Sequence, residues 1–256
     1  AFAAGFSSIR QFNDVMRREF GSPPSQLRRT TTASIAAADP ALVLRLRLRP
    51  PYDARAIGSF LAARAVPGLE EHECETRGWV HRRVVPLGAG SAVVEVRVLS
   101  DHVVVRADAD LRTTALLVRR IRRWLDLDAD PATIDDALGT DPVLAPLVEM
   151  RPGLRVPTTV DPWETVVRAI VGQQVSVAGA RTILGRVVAA YGEQTGSDFT
   201  AFPTAHTLAS VDPGEIAALG MPGARGRAVH AAALAAASGA ADLRGGDPRE
   251  LGADLL

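Results

Sequence analysis

Leucines at positions 42, 44, 46 and 48 alternate with arginines at 45, 47 and 49 in the run LVLRLRLR. Only an extended backbone, whose side chains point alternately to two faces, keeps all four leucines together, so this segment reads as a half-buried strand. One strand cannot bury that face alone. Three partners follow at 79–85 (WVHRRVV), 92–98 (AVVEVRV) and 102–107 (HVVVRA). The loop GAGS at 88–91 reads as a hairpin turn, because a phosphate cradle needs a strand-to-helix context and further spaced glycines. Two helices accompany the strands: about 54–65, with Asp53 as N-cap, and 111–125, with Leu117, Ile121 and Trp124 on one face. The run RRIRRW within the second reads as the solvated side of an amphipathic helix. Together these make an α+β unit with an antiparallel sheet.

Beyond an acidic connector, DLDADPATIDD, the pattern becomes helical. Asp161, Pro162 and Glu164 supply a cap, an N1 proline and a capping-box carboxylate. That helix runs to about Val171, where Gly172-Gln173-Gln174 interrupts it. Ser176 caps the next, which packs Ile183, Val187 and Val188 and stops before Gly192. Shorter helices are expected near 204–209, 213–219 and 224–238, and another from Asp247 and Pro248.

Composition narrows the functional classes. A chain of 256 residues, 47% hydrophobic, has material for two cores. Its formal net charge is zero, so any nucleic-acid surface must be local. The mean hydropathy of +0.09, with no bilayer-length apolar run and no signal-peptide layout, leads to the expectation of a cytoplasmic monomer without a membrane partner. The single cysteine, Cys74, excludes an internal disulfide and reads as an ordinary thiol. The histidines at 72, 81, 102, 206 and 230 show no HxxxH spacing, so no metal site is assigned. No GxSxG elbow or Walker loop occurs, and the residues alone present no recognisable catalytic centre.

Residues 1–29 form a first unit, with Ser7 as cap and Ile9, Phe12, Met16 and Phe20 at helical spacing. The pattern GFSS-x-RQFN-x-x-x-RREFG-x-x-P resembles the C-terminal half of an AraC-type helix-turn-helix. That resemblance implies a recognition helix in the major groove of promoter DNA, with Ser8, Arg10 and Asn13 as contacts off the apolar face. Residues 30–40, TTTASIAAADP, read as a linker.

Three ordered segments carry a second resemblance. They are PPYDARAIGSFLAARAVPGLE (50–70), RPGLRVPTTVDPWETVVRAIVGQQVSVAGARTILGRVVAAYGE (151–193) and FPTAHTLASVDPGEIAALGMPGARGRAVHAAALAAASG (202–239). They resemble the bacterial 3-methyladenine DNA glycosylase II family, AlkA, of the helix-hairpin-helix superfamily. An AraC-type half domain ahead of it is similar to the fused adaptive-response regulators of the Ada type. The resemblance implies a TATA-binding-protein-like α+β domain at 41–128 and an incomplete all-α glycosylase domain at 129–256, truncated before its helix-hairpin-helix. A zinc-binding methyl-acceptor domain would stand upstream in such a fusion; no cofactor is expected in this chain.

The implied activity is base excision of alkylated bases from double-stranded DNA, of the 3-methyladenine and 7-methylguanine type. The bond is hydrolysed after the nucleotide is flipped out of the duplex. A cationic alkylated base suits an aromatic pocket, and Phe60 falls at a family pocket position, with an ordinary core phenylalanine as its rival reading. Tyr52 is expected to pack the sheet. The family's catalytic aspartate follows an LPG(I/V)GxWTAxY hairpin, which does not occur here. It is expected beyond Leu256, so no catalytic residue is assigned, Asp247 and Asp254 are read as a helix cap and a terminal surface residue, and the fragment alone is expected to be inactive. The interruption Gly172-Gln173-Gln174 matches the family's minor-groove turn, with Gln174 as the wedge and Gln173 toward the base opposite the lesion. The alternative reading is a transcription regulator whose glycosylase-like module does not hydrolyse.

Overall fold

The computed structural model describes residues 42–76, 78–109 and 112–240, together with 8–10, 13, 14 and 17. Their contacts divide the chain into two compact units. One takes residues up to Ala63 and Glu70–Val160; the other takes Arg64–Leu69 and the chain from Asp161.

The first unit is a five-stranded antiparallel sheet. Strand β1 (Leu42–Arg47) buries every second residue, as the leucine alternation requires. It is followed by α1 (Ala54–Arg64), β2 (Glu70–Glu75), β3 (Gly78–Leu87), β4 (Gly90–Val98) and β5 (His102–Ala107). The strand order β1-β5-β4-β3-β2 brings the first and last strands side by side, with Leu44 opposite Val105. The β3–β4 connection is a tight hairpin with Gly88 at φ +69, a conformation glycine adopts without steric cost. Asp53 caps α1 as expected, its Oδ1 accepting from the Ala56 amide at 2.8 Å. Helix α2 (Thr114–Trp124) buries Leu117, Ile121 and Trp124 in the sheet's core. Its arginines do structural work: Arg120 donates to the Val160 carbonyl at 2.8 Å and Arg122 binds the Asp128 carboxylate.

Two elements depart from the pattern reading. Strand β2, EEHECE, has no apolar alternation, yet it pairs along β3 with His72 opposite His81. Cross-strand charge replaces apolar contact there. Arg82 reaches Glu73 at 2.9 Å and Glu95 at 3.0 Å on the outer face, while the buried Glu70 accepts from Arg83 at 2.6 Å on the inner one. The segment read as an acidic connector contains helix α3 (Pro131–Leu138), started by the Asp130 cap and Pro131. The same signal was legible at 161–162; here the surrounding acidic residues masked it. Helix α4 (Ala145–Met150) follows. Arg155, buried, donates to the carbonyls of Ala129 and Pro51, both at 3.1 Å. Residues 129–160 therefore group with the sheet, and the compact units change at 160/161 where the pattern reading places the change at 128/129.

Among the described residues the second unit is helical apart from a short pairing of β6 (Glu193–Gln194) with β7 (Thr200–Ala201). Helix α5 (Pro162–Gly172) starts at the Asp161 cap, and α6 (Val177–Tyr191) starts at Ser176, whose Oγ accepts from Gly179 at 3.1 Å. Ile183, Val187 and Val188 are buried as read from the sequence. Helices α7 (Ala205–Ala209), α8 (Pro213–Ala218) and α9 (Gly223–Ala237) follow, with α9 packed on α5, α7 and α8. The helix expected from Asp247 lies outside the described residues. No described helix is long and apolar enough to cross a membrane.

Candidate nucleic-acid interface

Helix α5 is pinned at its start. Trp163 is buried and donates from Nε1 to the Pro203 carbonyl at 2.9 Å, and the buried Glu164 accepts from Arg168 Nε at 2.7 Å. At its other end the helix passes into the turn Gly172-Gln173-Gln174. Gln173 is the C-cap in an extended conformation, and Gln174 sits at φ +56 with its side chain in solvent. A non-glycine residue in that left-handed region costs roughly 1–2 kcal/mol. A Cβ at Gly172 would meet nothing within 4 Å, so the turn has open space beside it. Two capped helices, each with one buried face, thus hold up a short, exposed and strained turn that presents an amide side chain at its tip.

Beside the turn lies a cavity of about 180 Å³ lined by Arg64, Arg168, Gly172, Val175, Arg181 and Leu184, among others. Its arginines also hold the chain segment that crosses from α1. Arg168 Nη1 donates to the Arg64 carbonyl at 3.1 Å, and Arg181 Nε donates to the Ala65 carbonyl. From the far side, Arg225 on α9 donates through Nη2 to the Gln173 carbonyl at 2.5 Å. This contact joins residues 52 apart in the chain; no local pattern announces it, and sequence reasoning did not single out Arg225.

The remaining site residues fall elsewhere. Phe60 lies on α1 in the sheet unit and is 37% exposed, so it is a surface aromatic and not the core residue of the rival reading. It is not among the residues lining the sheet unit's groove of about 890 Å³, which is formed by Tyr52, Gly58, His72, Trp79 and His102 with their neighbours. Tyr52 packs against the sheet's core, as expected, and donates its hydroxyl to the Leu125 carbonyl at 2.9 Å. Burial pushes its phenol well above the usual range, so it stays protonated. Burial likewise lowers the His72 imidazole below its ordinary value; its Nδ1 lies 3.3 Å from that of His81. Ser8, Arg10 and Asn13 are described, the last two in helical conformation with Arg10 exposed. Ser7, Phe12, Met16 and Phe20 lie outside the described residues, as do Asp247 and Asp254. Among the described residues no group of three or more histidine, cysteine or acidic side chains is placed to hold a metal.

Comparison with known proteins assigns both units. The AlkA N-terminal domain family matches residues 43–161, and the HhH-GPD superfamily of base excision DNA repair proteins matches 167–250. The probable bifunctional transcriptional activator/DNA repair enzyme AlkA of Mycobacterium tuberculosis is 43% identical over 239 residues, covering 90% of this chain and 47% of the relative. The chain therefore spans about half the length of that protein. DNA-3-methyladenine glycosylase 2 of Escherichia coli is 36% identical over 199 residues, covering 76% of this chain and 67% of the relative. In fold, the chain resembles the 3-methyladenine DNA-glycosylase of Archaeoglobus fulgidus, with a TM-score of 0.63 at 19% identity over 74% of this chain and 65% of that one. It also resembles the 8-oxoguanine glycosylase/lyase of Clostridium acetobutylicum bound to double-stranded DNA, with a TM-score of 0.58 at 17% identity over 81% and 66% of the two chains. The chain belongs to the AlkA family of DNA-3-methyladenine glycosylases, within the HhH-GPD superfamily of base-excision DNA repair proteins.

Proposed function

We propose that the protein carrying this chain hydrolyses the N-glycosidic bond of alkylated bases in double-stranded DNA after flipping the damaged nucleotide. The exposed left-handed turn at Gln174, held up by two capped helices with buried faces, is the observation that carries this reading. A flipped nucleotide leaves a gap in the base stack, and a side chain presented at the tip of a turn fills it from the minor groove. Gln174 takes that place as a polar wedge, and Gln173 faces the base opposite the lesion. Gly172 leaves room for the duplex backbone to approach. The positive end of α6 begins just after the turn, which suits a nearby phosphate. Phe60, an exposed aromatic, supplies a stacking face for a cationic base.

Alkylation places positive charge on the purine and weakens its bond to the sugar. What remains for the protein is to hold the base and stabilise an oxocarbenium-like sugar with a carboxylate. That carboxylate belongs to an aspartate following an LPGxG hairpin. The motif does not occur in these 256 residues, so this chain supplies the probing turn and the pocket face and is not assigned the catalytic group. Ser8, Arg10 and Asn13 extend the proposal to promoter DNA, which joins repair to transcriptional control in one protein. The relative from M. tuberculosis carries both activities in its name.

The test is release of 3-methyladenine or 7-methylguanine from alkylated duplex DNA by the full-length protein. Release is expected, with residues 1–256 alone inactive. Folded full-length protein that binds duplex DNA but releases no base would overturn the enzyme reading in favour of a regulator with a non-hydrolysing glycosylase-like module.

A further inference from the structure

We propose that Arg225 is a positioning residue for the probing turn: its bond to the Gln173 carbonyl sets the angle at which Gln174 is presented. The inference rests on the function proposed above for that turn. The Gln173 carbonyl and the Gln174 amide share one peptide plane, so fixing that oxygen fixes ψ of Gln173 and φ of Gln174 together. Arg225 Nη2 holds the oxygen at 2.5 Å, and the residue that follows is the one at φ +56. The carbonyl is also one of the last of α5, which no residue of its own helix satisfies. Nothing packs within 4 Å of a Cβ built at Gly172, so the turn is not wedged in place from that side.

The donor itself stands on a fixed base. The Arg225 amide bonds the Pro222 carbonyl at 2.8 Å. The next residue, Gly226, is buried so tightly that a Cβ there would lie 2.5 Å from the Pro213 carbonyl and 2.9 Å from Ala217 Cβ. Helix α9 also packs on α5 itself. The guanidinium therefore ties the tip of the turn to the same helix that supports its stem. A turn aimed in this way inserts its side chain in one direction. Without the tie, the peptide plane rotates and Gln174 leaves the left-handed region for the cheaper conformations open to it.

Three measurements on the full-length protein test the tie. Amide hydrogen exchange over residues 172–176 is expected to speed up in R225A while the rest of the helical unit keeps wild-type protection. Excision from duplex DNA is expected to fall about tenfold to a hundredfold, the scale of a slightly misplaced group. The fluorescence of a 2-aminopurine placed beside the lesion, which reports unstacking without requiring chemistry, is expected to fall toward that of free duplex. R225K, which keeps a cationic donor, is expected to fall between wild type and R225A in all three. R225Q replaces R225A if the latter does not fold. Wild-type exchange in R225A or R225Q overturns the tie whatever the activity. Wild-type protein that releases no base overturns the glycosylase reading instead, and the exchange measurement still decides the tie.

Discussion

Gln174 is the residue at which local cost and proposed role coincide, since its left-handed backbone is unfavourable and the residue is exposed. Gln174→Ala in the full-length protein is expected to reduce excision from duplex DNA about tenfold while stability moves by less than about 1 kcal/mol, as for other exposed positions. Unchanged turnover, with an unchanged melting temperature, would remove the wedge role. The interruption at this turn was legible because a glycine and two amides break a strong helical period. Gly58 shows the reverse case. It stands inside α1 and gives no sign in the sequence, yet a Cβ there would lie 2.4 Å from Trp79 Cδ1. Trp79 is itself held by its Nε1 bond to the Ala54 carbonyl at 2.7 Å, so moving the indole aside would strain or break that bond. Gly58→Ala is expected to destabilise the sheet unit by about 1–3 kcal/mol, read as a lowered urea midpoint. A wild-type midpoint would show that the helix shifts at little cost. Contacts of this kind depend on what tertiary packing brings near, which one-dimensional periodicity does not encode.

At the scale of elements, apolar alternation revealed four of the five strands of the main sheet and hid β2, which is held by charge. Glu70 and Arg83 are both buried and bond at 2.6 Å. Neutralising Glu70 takes this carboxylate away from the buried Arg83 guanidinium, so Glu70→Gln is expected to cost on the order of 3 kcal/mol. Exposed carboxylates on the same strand, such as Glu73, should cost under about 1 kcal/mol when neutralised. Equal effects at the two positions would contradict the buried pair. The inner face of β2 also carries His72, whose pKa is lowered by burial. Below the ordinary imidazole value of about 6.5, the unfolded chain takes up a proton that the folded chain resists. Stability from this residue is therefore present at neutral pH and is lost as pH falls from that value toward the lowered folded one. Wild-type protein should lose more of its urea midpoint between pH 7.5 and 5.5 than His72→Gln does. The exposed Asp101, whose carboxyl is held low by its bond to His102, acts in the same direction but titrates in a more acidic window, so it does not confuse the comparison.

At the scale of the whole molecule, the chain does not divide at a single cut. Residues 64–69 follow α1 in sequence but belong to the helical unit. The Arg64 carbonyl takes Arg168 at 3.1 Å, the Ala65 carbonyl takes Arg181, and the Gly68 carbonyl takes the Thr200 amide at 2.7 Å. Pro67 lies against Gly185, where a Cβ would come within 3.2 Å of the proline ring. Reading along the sequence, the stretch RAVPGL looks like the end of one helix and an unremarkable turn. Its role is visible only when acceptors and donors a hundred residues apart are paired. Three hydrogen bonds, two of them from guanidinium groups, are worth on the order of 4 kcal/mol together, a large share of the margin of a unit this small. Residues 161–256 expressed alone should therefore melt broadly and at low temperature. The same residues preceded by 64–69 through a flexible glycine-serine linker should regain a cooperative transition in circular dichroism. A sharp melt without 64–69, unchanged by restoring it, would show that the crossing segment is a passenger and that the helical unit is complete from Asp161 onward.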